Sequence, residues 1–199
     1  MAGDAGDPID RDAPLCALMR DAEGAADAFL VRVAERARAA GLRLAGALQI
    51  DAPRPGRRRS DMMLCDLTDD RRTLISEDRG DLAEACRLDA AALTEAAARI
   101  ERSMRAAPPD LVIFNKFGKA EAEEGGGMRD AIDAALDVGA AVLLSVAPDR
   151  VAAFEAFAGE LGTIAADEAA ARRWLSRRFG ARWPTPAEGG DAADAELGG

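Results

Sequence analysis

Two rhythms of apolar and polar positions alternate along most of the chain. Short continuous apolar runs, the pattern of strands buried on both faces, fall at 14–19 (PLCALM), 42–50 (LRLAGALQI), 110–114 (DLVIF) and 140–146 (AAVLLSV), with a weaker run at 161–166 (LGTIAA). Between them apolar residues recur at the steps of a helix with one buried face. Phe29, Val33 and Ala37 mark a helix over 25–40 that Gly41 stops. Ala92, Ala96, Ile100 and Met104 mark another over 89–107, opened by Asp89 as N-cap and ended by Pro108 and Pro109. Further helices are expected over 128–138, over 148–157 with Pro148 in the first turn, and over 168–179 with Trp174 and Leu175 inward.

One section breaks the alternation. Runs at 61–67 and 72–77 flank the polar turn Thr68–Arg71 and predict a β-hairpin. The preceding stretch, 51–60, holds two Pro, one Gly and four Arg (Arg54, Arg57, Arg58, Arg59) and reads as a solvated loop. The order is α/β, a mainly parallel sheet with an inserted hairpin and helices on both faces, in which 14–19 and 42–50 form a parallel, right-handed βαβ unit. One domain over 14–183 is expected between tails 1–13 and 184–199, which are rich in Ala, Gly, Asp and Pro and read as disordered.

Charge and composition narrow the function. Of 199 residues 26 are basic and 36 acidic, and seven of the ten net negative charges fall in the two tails. A nearly balanced domain without a basic stripe argues against nucleic acid as partner. No apolar run reaches membrane-spanning length, and the acidic N-terminus does not resemble a secretory signal. The cysteines, Cys16, Cys65 and Cys86, form neither a disulfide framework nor a Cys-x-x-Cys motif, and a reducing cytoplasm suits them. Cys65 reads as a small core residue. Histidine is absent, which excludes a Ser-His-Asp triad and His-ligated metal.

A sharper signal lies in the rare residues. Of the basic residues 24 are Arg; the two lysines are Lys116 and Lys119, the one Asn is Asn115 and the one Gln is Gln49. Three of these four fall in Asn115-Lys-Phe-Gly-Lys119, directly after the strongest strand, where open α/β sheets bind ligands. Gly125–Gly127 then lead into a helix whose free N–H groups favour an anion, with Arg129 beside them. These residues make a candidate anion cradle of Asn115, Lys116, Gly118, Lys119, Glu121 and Arg129, with Gln49 facing the same crevice. The spacing equally fits surface lysines pairing with Glu121, Glu123 and Glu124. Cys86 and Arg87, in Cys86-Arg-Leu-Asp89, fit either the site or the entry to a helix.

LVIFNKFGKAEAE resembles the second motif of small P-loop nucleoside triphosphatases, an apolar strand followed by Asp-Glu and later Gly and Glu. In that register Asn115 stands at the Mg-binding Asp and Lys116 at the water-polarising Glu, so both catalytic acids are replaced. The first motif, Gly-x-x-x-x-Gly-Lys-[Ser/Thr], is missing: the segment after the first strand is Met19-Arg-Asp-Ala-Glu-Gly-Ala-Ala-Asp27. Over roughly 14–175 the chain is similar to a bacterial family, domain of unknown function 2478. The likeness rests on Gly46-Ala-Leu-Gln49, Met63-Leu-Cys-Asp-Leu67, Arg79-Gly80, Cys86-Arg-Leu-Asp89 and Asn115 to Glu121. It implies a degenerate P-loop nucleoside-triphosphatase fold, adds Arg79 to the candidate ligand-binding residues, and associates the protein with molybdate uptake. The expected function is non-catalytic binding of a small anion, which is a nucleotide, phosphate or molybdate-like oxyanion. Two alternatives are an enzyme of nucleotide chemistry with an unconventional site and an interaction subunit with a vestigial crevice. No cofactor is assigned.

Overall fold

The computed structural model describes residues 13–20, 24–53, 60–77, 88–123 and 125–184. The strands are β1 (Leu15–Met19), β2 (Leu44–Ala52), β3 (Asp61–Asp66), β4 (Arg72–Leu74), β5 (Leu111–Phe114), β6 (Ala141–Val146) and β7 (Gly162–Ala165). The helices are α1 (Ala25–Ala39), α2 (Ala90–Ala106), the single turn α3 (Lys119–Ala122), α4 (Arg129–Asp137), α5 (Val151–Ala158) and α6 (Glu168–Phe179). One seven-stranded sheet has the order β4-β3-β2-β5-β6-β1-β7. Strands β2, β5, β6, β1 and β7 pair in parallel, and the hairpin β3–β4 adds antiparallel at the β2 edge.

The apolar runs became strands because both sheet faces are covered. One core packs α2, α4 and α5 residues such as Ile100, Ala135 and Phe154 on Ala45, Val112, Phe114 and Leu144. The other packs α1 and α6 residues such as Phe29, Val33 and Trp174 on Leu48, Ile113 and Leu143. Cys16 lies in the second core, and burial pushes its thiol up to about 12, so it packs as an inert hydrophobe. Cys65 is half-buried in β3.

The sequence expectations hold for the elements and fail in places on their arrangement. Strands β1 and β2 are parallel members of one sheet, but β5 and β6 stand between them. The hairpin occupies one side of β2, so the single parallel slot left beside it goes to β5. Asp89 caps α2 as expected, its Oδ1 accepting the Ala92 N–H at 2.9 Å. Between the motif's Gly118 and the Gly-rich stretch, Lys119–Ala122 form the single turn α3. Ala13, assigned above to the N-terminal tail, is buried, and its carbonyl accepts the Trp174 indole N–H at 3.0 Å. Most of each predicted tail, and Arg54, Arg57, Arg58 and Arg59, lie outside the described residues.

Gly46 is required by geometry. It sits in β2 opposite Ile113 with φ +98°, and a Cβ there would lie 2.2 Å from the Ile113 carbonyl oxygen. Gly46→Ala combines a backbone clash with an unfavourable φ. It should destabilise the protein by roughly 3 kcal/mol or more, read as a lower urea midpoint at unchanged m-value.

At the opposite end of the sheet from the strand C-termini, Asp110 joins three segments. Its Oδ2 accepts the Arg43 backbone N–H at 2.9 Å and Arg43 Nε at 3.2 Å, and Oδ1 accepts Arg182 Nη1 at 3.2 Å. Burial raises the carboxyl pKa, but the bonds from Arg43 and Arg182 outweigh it and hold the group well below the usual range. A depressed native pKa gives stability that is present above the unfolded value of about 3.9 and is lost as pH falls through the native one. The melting temperature of the native protein should therefore drop on acidification below about pH 4, and Asp110→Asn should lower it at neutral pH and flatten that acid limb.

Candidate functional site

The motif after β5 divides into residues consumed by the fold and residues delivered to solvent. Asn115 is buried. Its side-chain Oδ1 accepts the Gln49 N–H, while Nδ2 donates to Asp27 Oδ1 at 3.0 Å and to the Gln49 carbonyl at 3.4 Å. One neutral amide thus ties the ends of β5 and β2 to the first turn of α1. The Asn115 carbonyl accepts from both Ser145 Oγ and Ser145 N, which locks the same point to β6. Phe117 is buried, donates its N–H to the Ser145 carbonyl at 2.7 Å, and meets Phe154 edge-on with ring centroids 5.7 Å apart.

Glu121 is a second internal clasp. Its carboxylate accepts the Gly118 N–H at 2.8 Å and the Met128 N–H at 3.0 Å. The N-terminus of α4, expected to offer free N–H groups to an anion, is thus approached by a carboxylate of the chain itself. Gly127 makes room for it: φ is +64°, and a Cβ there would lie 2.1 Å from Glu121 Oε1. Arg129 is also occupied, donating to the Glu121 carbonyl at 2.9 Å with its guanidinium 4.5 Å from the Phe157 ring centroid.

Lys116 and Lys119 point the other way. Both are exposed, and both line a cavity of about 250 Å³ at the carboxyl ends of β2 and β5. Ala47, Leu64 and Phe114 of the sheet form its floor, Leu93 of α2 and Met128 form a wall, and Met62 and Ile75 come from the hairpin arm. Gln49, Asn115, Gly118 and Glu121 complete the polar rim. The Gln49 side chain donates to Asp51 Oδ1 at 3.3 Å.

The expected site residues fall into different surroundings. Asn115, expected to donate to an anion, gives both amide hydrogens to Asp27 and the Gln49 carbonyl. Glu121 and Arg129 make bonds within the chain; Glu121 also lines the cavity, and Arg129 is not among its lining residues. Lys116 precedes α3 and Lys119 opens it, and the cavity brings both together. Arg79, Cys86 and Arg87 lie outside the described residues. Asp27 and the cavity walls were not foreseen, because an apolar wall residue has the same periodicity as a core residue.

A magnesium nucleotide of the P-loop kind does not fit these residues. The sequence after β1 has no Gly-Lys loop. The residue at the metal-binding position is an amide engaged elsewhere, and the next is a cation. Among the described residues no cluster of three or more Cys, Asp or Glu suits a metal ion, and no helix is long and apolar enough to cross a membrane. None of the cavity's described lining comes from β1 or α1.

The sheet order and the layers define a P-loop nucleoside-triphosphatase-like α/β fold. Two solved structures share it: THEP1 from the hyperthermophile Aquifex aeolicus (TM-score 0.52, 12% identity, 82% of this chain and 94% of that one) and a human cancer-related nucleoside triphosphatase (0.54, 14%, 76% and 87%). Residues 15–174 match the family described as "Protein of unknown function (DUF2478)", and the chain belongs to that family. A curated relative, the molybdenum import ATP-binding protein ModC 2 of Bradyrhizobium diazoefficiens, is 34% identical over 137 residues, which are 69% of this chain and 15% of that protein.

The division of the motif is testable by stability alone. Asn115→Asp removes two donors and sets a carboxylate against Asp27, so it should destabilise by about 2–4 kcal/mol in urea unfolding. Lys116→Ala, on an exposed side chain, should stay within about 0.5 kcal/mol of the parent.

Proposed function

We propose that the protein is a non-catalytic binding protein for a small anion on a degenerate nucleoside-triphosphatase fold. One observation carries the reading: both lysines of the chain stand at the mouth of one cavity, on a motif whose other side chains hold the loop in place. Hydrolysis needs a metal-binding acid and a group to orient water, and the matching positions hold Asn115 and Lys116. This favours binding over nucleotide chemistry.

The likeness to ModC 2 supports an accessory role in molybdenum supply. This chain carries no Gly-x-x-x-x-Gly-Lys-[Ser/Thr], so the shared 137 residues resemble ModC 2 without the loop that grips a nucleotide phosphate. We read them as a unit that accompanies an importer ATPase and senses or holds a ligand for it.

A thermal-shift screen with phosphate, sulfate, molybdate, tungstate and nucleotides should find anions that raise the melting temperature, because a ligand selective for the native state stabilises it. Calorimetric titration of the best of them should show affinity reduced about tenfold in Lys116→Ala and in Lys119→Ala, each the loss of a charge-assisted hydrogen bond. Lys→Arg should restore it only in part. Arg102→Ala, on the exposed face of α2, should bind as the parent does. Equal losses in the Arg102 control would refute the site. Steady Mg-dependent phosphate release from ATP or GTP, abolished by Lys116→Ala, would refute the absence of catalysis.

A further inference from the structure

We propose that the ligand is an organic anion with an apolar body of about two fused rings, which fills the cavity while its acidic group stays at the mouth on Lys116 and Lys119. The inference rests on the reading above, that this cavity is the binding site, and it narrows the chemistry of what enters.

The cavity interior is built to exclude a bare oxyanion. Its floor and walls are Ala47, Leu64, Phe114, Leu93 and Met62. Among the described residues, three of the polar groups at its edge, on Asn115, Gly118 and Glu121, are already committed. The Asn115 amide is filled by Gln49 and Asp27, and the Gly118 N–H is given to Glu121. The Glu121 carboxyl oxygens are acceptors already taken by the Gly118 and Met128 N–H groups. A tetrahedral oxyanion moved inside would lose its hydration and, among the described residues, find few donors away from the Gln49 amide and the two lysines, at a large desolvation cost. At the mouth it would meet two hydrated ammonium groups, one of them under the influence of Glu123, and exposed ion pairs of this kind are weak. The same lysines suffice for an anion whose other end gains burial.

Volume and chemistry set the body. An apolar cavity of about 150 Å³ accommodates benzene, so about 250 Å³ suits roughly ten heavy atoms. A purine has that size, but the floor and walls formed by Ala47, Leu64, Phe114, Leu93 and Met62 offer its ring nitrogens no hydrogen bonds, so a hydrocarbon body is preferred over a nucleobase. Met62 and Met128 give the walls the freedom to adapt to its outline.

Calorimetric titration of the full chain with naphthalene-2-sulfonate, methanesulfonate, molybdate, 5′-AMP and neutral 2-naphthalenemethanol tests this. Naphthalene-2-sulfonate should bind at least about tenfold more tightly than each of the others. Lys116→Ala should weaken it about tenfold. Met62→Phe, which narrows the cavity, should weaken it while leaving methanesulfonate binding unchanged, with Leu93→Phe as a second wall variant and circular dichroism confirming that each is folded. If molybdate or methanesulfonate binds as tightly as the naphthyl anion and depends on the lysines, the organic body is wrong and the anion site stands. If the neutral alcohol binds as tightly as the sulfonate and the lysine variant changes nothing, the anion site falls as well. If no probe binds, both are overturned.

Discussion

The candidate site hangs on the two-sidedness of a carboxamide. Asn115 accepts from the Gln49 N–H with one end and donates to the Gln49 carbonyl and Asp27 with the other. No other uncharged side-chain group of its size offers two donors and a separate acceptor oxygen. A carboxylate there would lose the donors and repel Asp27; an aliphatic side chain would strand a backbone N–H and a carbonyl at the end of β2. Because the amide spans β5, β2 and α1, the direction in which the following residues leave the sheet is set before Lys116. Ser145 fixes the same point from β6, and Phe117 then drives the chain back into the core.

Glu121 solves a different problem with the opposite means. A helix that starts beside a sheet edge leaves N–H groups unpaired and a partial positive charge. In an enzyme that handles phosphates such an end is left for the substrate. Here a carboxylate from the preceding turn takes the Met128 N–H and, with its second oxygen, the Gly118 N–H. Gly127 gives up its side chain so that the carboxylate fits. The fold is similar to that of nucleoside triphosphatases, while here the N–H groups of Gly118 and Met128 are used by Glu121 to hold the loop.

The sequence was legible where one local rule decides. Runs such as DLVIF and AAVLLSV became central strands, Asp89 became an N-cap, and the rarity of lysine pointed to the pair that shares the cavity. It was illegible where partners distant in the chain decide. The separation of β1 from β2 depends on which strand wins the slot beside β2, and periodicity carries no such information. Asn115 looked like a ligand because it is rare and polar, but the carboxyl oxygen that claims its amide lies 88 positions away, in α1. The cavity was hidden for another reason: a lining residue and a core residue differ only in what is missing beside them.

The loop from Asn115 to Glu121 is two messages interleaved letter by letter. Asn115, Phe117, Gly118 and Glu121 spell the shape, and Lys116 and Lys119, exposed at the cavity, are the letters that the proposed binding would read. Because the letters do not overlap, the chemistry can be rewritten while the shape is kept. Relatives that diverged in ligand would be recognised by change at the second and fifth letters of the motif against a constant background. An engineer seeking a new specificity on this scaffold has two positions to vary and four to leave alone.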